Sequence, residues 1–260
     1  MKKEDLTFWD HLDELRGVLF RSALSVLFFL VIIFPSKSFL FDKIIFAPTS
    51  EDFILFKWFN SLSQMVGLSS QEISHFRIEL INIELPSQFF THINVSILLS
   101  LILSVPYILY QVWTFIKPGL YEKERDSIKR GFAFASILFF IGVLVGYFFV
   151  FPLTLRFLAT YQVSSKVVNQ ISLRSYIAMF SWLIFIMGVV FELPALALIL
   201  SRMGVVSKTT LKRYRRYAFL ALMILSAVIT PSGDAFTLMI VGIPLYLLYE
   251  FSILICRDFN

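Results

Sequence analysis

Six apolar segments, each bounded by charge, proline or glycine, constrain this chain more than any other feature of its sequence. They span roughly residues 18–34, 91–115, 132–151, 176–200, 217–229 and 235–255. Several match the roughly 20 residues that a helix needs to cross a bilayer. Within hydrocarbon every backbone amide must find its partner inside the segment, so these runs are expected to be helices. Composition excludes the alternative of a water-soluble core. The 260 residues are 58% hydrophobic and 16% charged, with 30 phenylalanines, whereas a soluble domain carries about a quarter charged residues. A folded domain of this length has too little interior to hide that much apolar surface. The fold class expected is all-α: one polytopic membrane domain over 1–260 with six transmembrane helices, the fifth and sixth short.

Charge sets orientation. The formal net charge is +5, but the basic residues sit in short clusters between apolar runs, which suits loops facing an anionic membrane surface and argues against a nucleic-acid partner. Sixteen lysines and arginines fall in the amino-terminal segment, the second-to-third and fourth-to-fifth connections and the carboxyl terminus, and seven fall in the alternate connections. The excess marks the cytoplasmic side, so both termini are expected there. Met1-Lys2-Lys3 is followed by acidic residues and the first apolar run starts late, so the amino terminus does not read as a cleavable signal. Cys256 is the single cysteine, which excludes an internal disulfide framework.

Two stretches outside the spans carry a helical pattern. Residues 1–17 read as a cytoplasmic amphipathic helix, with a capping box starting at Thr7 and an apolar stripe through Leu12 and Leu15 that continues to Leu19. It is expected to lie along the inner surface before turning into the membrane. The long connection 35–90 is expected to hold an interfacial helix around Phe53, Phe56, Trp58, Leu62 and Met65, lying at the outer surface or capping the bundle. Pro48, in the same connection, is expected to mark a turn. Gly142 and Gly146 form a small-xxx-small pair in the third span, read as internal packing ahead of dimerisation.

Three motifs then appear in order: His11-Leu12-Asp13-Glu14-Leu15-Arg16 before the first span, Phe115-Ile116-Lys117-Pro118-Gly119-Leu120-Tyr121-Glu122-Lys123-Glu124-Arg125 after the second, and Phe191-Glu192-Leu193-Pro194 within the fourth. Tyr107 to Trp113, Phe151-Pro152, Thr230-Pro231 and Ile243-Pro244-Leu245-Tyr246 accompany them. Together they resemble the TatC family, the multispanning receptor subunit of the twin-arginine protein translocase. Where that family often has a second basic residue two positions after the first motif's arginine, this chain has Val18.

The resemblance implies a protein-export subunit of a bacterial inner membrane. Such a subunit recognises twin-arginine signal peptides of folded cargo and works with TatA-type and TatB-type single-span partners. It forms a homo-oligomer in the assembled receptor and is driven by the proton-motive force. No cofactor, metal or catalytic residue is implied. Glu14 and Glu124 are the expected readers of the paired guanidinium groups, which need carboxylates for bidentate, charge-assisted hydrogen bonds. Phe115 is either an interfacial anchor or a wall beside the bound peptide, and His11 either positions Glu14 or simply covers the helix surface. Pro118-Gly119 ends the second span, since proline cannot continue the ladder and glycine permits the turn. Glu192 lies about 15 Å from the basic end of its span at the helical rise, near the bilayer midplane. An ionisable group there costs roughly 2.5–3.5 kcal/mol on insertion scales, so it is expected to face a polar partner, either an incoming helix or a neighbour within the bundle. Pro194 is expected to kink the helix beside it. An ion-coupled small-solute transporter using Glu192 is the alternative function, disfavoured because the chain shows no internal repeat and no second deeply buried charge. An intramembrane protease is disfavoured because HExxH, GxSxG and a second intramembrane aspartate are absent.

Overall fold

The structure, a computed structural model, describes residues 8–50, 53–58, 78–119, 122–164, 166 and 169–258. The principal helices among the described residues are α1 Phe8–Ile33, α2 Ser87–Ile116, α3 Glu122–Val145, α4 Phe151–Thr160, α5 Leu173–Val190, α6 Leu193–Arg202, α7 Lys208–Arg213, α8 Arg215–Ile229 and α9 Ala235–Ile255. A π turn over Gly146–Val150 joins α3 to α4 without a break in direction of the chain. Five helical stretches are long and apolar enough to cross a membrane. α8 is not one of them: its 15 residues reach about 22 Å, against roughly 30 Å of hydrocarbon.

Two expectations are corrected. The separate surface helix before the first span does not turn: α1 runs unbroken from Phe8 for 26 residues. Asp10, Asp13, Glu14 and Arg16 change the polarity of the sequence but not its helix preference, and Gly17 costs about 1 kcal/mol without breaking the ladder. Thr7 of the expected capping box lies outside the described residues. The sixth span is also not short. α9 keeps the bounds of its apolar run, its 21 residues reach about 31 Å, enough to cross, and it includes Glu250, whose carboxylate accepts a 2.6 Å bond from Arg215 Nη2 on α8. A paired charge at the end of a helix need not end it.

Large apolar side chains cover the outside of this bundle. Phe20, Phe28 and Val31 on α1, Val228 on α8 and Met239 and Leu254 on α9 are each more than 60% exposed. Contiguous apolar surface on this scale does not face water in a monomeric soluble protein, and the chain is a multi-pass membrane protein.

Successive long helices run antiparallel. At one end of the α1–α2 pair His92 Nε2 lies 2.9 Å from the Phe34 carbonyl oxygen. At the other, Arg21, Leu24 and Phe28 share a groove with Tyr107. Glycines let α3 and α5 approach closely. A Cβ at Gly142 would sit 2.5 Å from the Met187 carbonyl oxygen and 2.6 Å from Phe191 Cβ, and one at Gly188 would meet the Phe139 ring at 2.7 Å. The small-xxx-small pair therefore packs within the bundle.

The connections at one end form a cap. Tyr176 donates its hydroxyl to the Ile45 carbonyl at 2.5 Å and Tyr147 to that of Ile44 at 2.8 Å. These bonds tie short turns over residues 34–49, with buried Pro48 in the turn Ala47–Thr49, onto the bundle. Phe53, Leu55 and Phe56 are buried against Tyr147, Phe148 and Leu153, and residues 54–58 are helical. The remainder of the expected interfacial helix, including Leu62 and Met65, lies outside the described residues. A two-residue parallel pair, β1 Leu80–Ile81 with β2 Ile171–Ser172, links the two longest connections at this end.

Candidate functional site

The opposite end is basic. The start of α1, the end of α2 and the start of α3 meet there, joined by the α6–α7 connection, the start of α8 and the end of α9. Antiparallel packing of α1 on α2 brings His11 and Glu14, in the first turns of α1, to the same end as Phe115, in the last turn of α2. His11 is exposed, while Glu14 and Phe115 are half-buried. α2 ends at Ile116 and passes into a single tight turn, Lys117–Gly119. Proline at position 118 has no amide hydrogen to extend the ladder. Glu124 belongs to the first turn of α3, and its side chain lies outside the described residues.

Between α2 and α3 a cavity of about 290 Å³ is lined by Tyr110, Trp113, Thr114, Lys117, Arg125 and Lys129. Trp113 forms its inner wall, buried against Ile128 and 5.7 Å from the Phe132 ring centroid. The described lining holds three cations and no carboxylate, so a cationic ligand arriving here requires acidic groups from the neighbouring helix starts. Gln111, one turn further in, is buried, and its Oε1 has no hydrogen-bond partner among the described residues. Sequence reasoning did not single it out, although an amide within an otherwise apolar run is the signal that marks a polar task inside a membrane.

Glu192 sits apart from these residues, ten positions before Arg202 and so about 15 Å from the basic end at the helical rise. Here α5 stops at Val190, Phe191 and Glu192 form a turn, and α6 starts at Leu193 with Pro194 in its first turn. Pro194 cannot donate to the Val190 carbonyl four residues earlier, and the ladder tightens in response, with Glu192 N bonding to Val189 O at 3.1 Å. The half-buried carboxylate lies at this interruption. Its Oε1 is enclosed and has no hydrogen-bond donor among the described residues.

A tail holds the far side of the basic end together. Thr209, in α7, donates its amide and hydroxyl to Asp258 Oδ1 at 2.7 and 2.5 Å. The hydroxyl bond leads in holding the Asp258 carboxyl below the usual range, helped by the amide. Tyr249 on α9 donates to the Leu211 carbonyl at 2.8 Å.

A family model described as Sec-independent protein translocase protein (TatC) matches residues 10–244. The chain belongs to the TatC family. A TatC protein of Blattabacterium sp. subsp. Periplaneta americana is 36% identical over 256 residues, covering 98% of this chain and 96% of that one. The TatC protein of Deinococcus radiodurans is 38% identical over 189 residues, 71% of this chain and 68% of the relative. Two solved structures of the twin-arginine translocase receptor TatC are similar throughout, each 29% identical. The one in the detergent DDM has a TM-score of 0.75 and covers 95% of this chain and 99% of its own. The other has a TM-score of 0.66, with 94% and 97% covered. TatC is a protein-translocase family and not a family of enzymes.

Proposed function

We propose that this TatC protein reads twin-arginine signal peptides of folded cargo at its basic end, taken as cytoplasmic, in a bacterial inner membrane. Both termini lie on that side, and α8 serves as a short sixth crossing. The observation that carries the reading is the meeting of the start of α1, the end of α2 and the start of α3 at one end of the bundle. Glu14 and Glu124 accept bidentate hydrogen bonds from the two guanidinium groups, which the Lys117, Arg125 and Lys129 cavity alone would repel. Phe115 packs against the apolar part of the peptide, and His11 holds Glu14 in place. Pro118 and Gly119 fix the turn that presents α3.

Glu192 then meets a polar side chain of a TatA-type or TatB-type helix laid against the α5–α6 interruption, since an enclosed carboxylate oxygen without a donor favours a partner that supplies one. Several copies assemble in the receptor, and the proton-motive force drives transport. Membrane lipid covers the remaining apolar faces. The test is export of a folded reporter carrying a twin-arginine signal, in cells whose own TatC is deleted. This chain, supplied with its TatA-type and TatB-type partners, restores export. Glu14→Ala, Glu124→Ala and Glu192→Ala each reduce it, and cross-linking from position 192 finds a single-span partner during transport. Full export by the Glu14→Ala, Glu124→Ala double variant would overturn the peptide site, and only lipid adducts from position 192 would overturn the partner contact.

A further inference from the structure

A second cavity at the basic end is built differently from the first. About 500 Å³ in volume, it lies between α3, α6 and the tail after α9, and is lined by Arg130, Gly131, Phe134, Leu198, Arg202 and Arg257. Arg202 and Arg257 come to it from two elements, and neither has a carboxylate partner among the described residues. Arg202 is the last residue of α6, and Arg257 follows the end of α9 by two residues. Both therefore stand where spans leave the hydrocarbon.

The site is held in shape from several sides. The Arg257 amide donates to Ser201 Oγ at 3.3 Å, and its carbonyl accepts from the Lys208 amide at 3.2 Å. The neighbouring Asp258 is committed to Thr209, and Glu250 to Arg215. Gly131 lets α3 approach α6, since a Cβ there would lie 2.8 Å from Ile199 Cγ1. The inner wall is apolar. Phe134 contacts Phe251 with ring centroids 6.5 Å apart, while Leu254, three residues before Arg257, and Leu196, six before Arg202, are 72% and 53% exposed.

We propose that this cavity binds the phosphodiester headgroup of an anionic phospholipid, with the acyl chains descending along Phe134, Phe251 and Leu254. Arg202 and Arg257 clamp the phosphate oxygens, and Arg130 completes the wall. Arg202 and Arg257, two neighbouring cations without a carboxylate, repel each other, and a phosphodiester relieves that repulsion while matching the planar guanidinium fork. A basic pocket between spans at the polar boundary is where such headgroups lodge. An apolar slope leading away from the cations distinguishes a lipid from a free phosphate, which has no use for it.

The experiment is native mass spectrometry of the full chain released from micelles holding equal amounts of phosphatidylglycerol and phosphatidylcholine. Wild type retains phosphatidylglycerol preferentially. Each of Arg202→Gln and Arg257→Gln lowers the preference about fivefold, from roughly 1 kcal/mol per basic residue near an anionic headgroup. Lys212→Gln with Arg213→Gln, which removes two positive charges from α7 outside the cavity, leaves it unchanged. The fold-preserving pair Arg202→Lys with Arg257→Lys keeps part of the preference. Equal loss in the α7 control means diffuse charge attraction and overturns the site. Displacement of phosphatidylglycerol by millimolar inorganic phosphate shows a free-anion site and overturns the lipid. No preference in wild type overturns both.

Discussion

Alanine at position 142 should separate two helices that no side-chain rotation can keep together. The added Cβ would lie 2.5 Å from the Met187 carbonyl oxygen and 2.6 Å from Phe191 Cβ, roughly an ångström inside ordinary contact at 3.5 Å. The carbonyl is backbone and held in its helix, so α3 and α5 must move apart. Overpacking of this kind costs about 1–3 kcal/mol, while replacing glycine with alanine in a helix interior returns about 1 kcal/mol. Because the clash is with fixed backbone the upper part of that range applies, and the net expectation is a destabilisation of about 1–2 kcal/mol, or a fall in Tm of roughly 2–8 °C. Two comparisons isolate the packing term, because the helix-propensity gain is shared. Gly146→Ala meets its first atoms at 3.1 and 3.2 Å and should be milder, and Gly188→Ala meets mainly the movable Phe139 ring. Thermal unfolding of the purified protein in detergent reads all three. A Gly142→Ala protein as stable as wild type, or no difference among the three positions, would refute the close seam between α3 and α5.

Tyr176→Phe removes the 2.5 Å hydroxyl bond that pins the cap to the bundle through Ile45. It should cost about 1–2 kcal/mol by thermal unfolding, because it leaves a buried carbonyl unpaired. Glu84→Gln breaks an exposed pair with Arg174 and should change stability by less than about 1 kcal/mol. Asp234 caps α9 by accepting from the Thr237 amide at 2.8 Å. Partial burial raises its carboxyl pKa, but bonds from Ser232, Thr237 and the Phe236 amide outweigh that and bring it down to about 2. A lowered folded-state pKa stabilises above the unfolded value of about 4 and loses that contribution as pH falls towards about 2. Asp234→Asn should keep the cap and flatten this acid dependence in equilibrium unfolding, and an unchanged slope would contradict the assignment. Adding five leucines to the 15-residue α8 lets it cross without drawing in the bilayer. If local thinning serves transport, reporter export falls while insertion is unaffected, and undiminished export would dismiss the mismatch.

The apolar runs were legible because lipid leaves a single backbone solution, and the glycine pair because only close packing rewards two absent side chains at that spacing. The continuity of α1 was hidden by polarity, since Asp10, Asp13 and Glu14 look like a boundary though their backbones are helical. The pairing of Glu250 with Arg215, 35 residues away, is one that no periodicity reports. The tyrosine bonds to Ile44 and Ile45 span 103 and 131 residues and leave no local trace. Glu14, Phe115 and Glu192 were picked out by motif. The Arg130, Arg202 and Arg257 cavity was not, because residues so distant in sequence had been read only as loop charge. Gln111 is visible only as part of the Tyr107 to Trp113 match, because its apolar neighbours mask a single buried amide.

The most direct test of the receptor reading is the affinity of a twin-arginine signal peptide for the purified protein, measured beside the paired-lysine peptide, for wild type and Glu124→Ala. Lysine keeps the charge and loses the planar fork. Wild type should prefer arginine, and Glu124→Ala should weaken the arginine peptide about 10- to 100-fold, the loss expected when a charge-assisted bond of roughly 1.5–3 kcal/mol is removed, and erase the preference. Equal binding of the two peptides, unaffected by the substitution, would contradict the account.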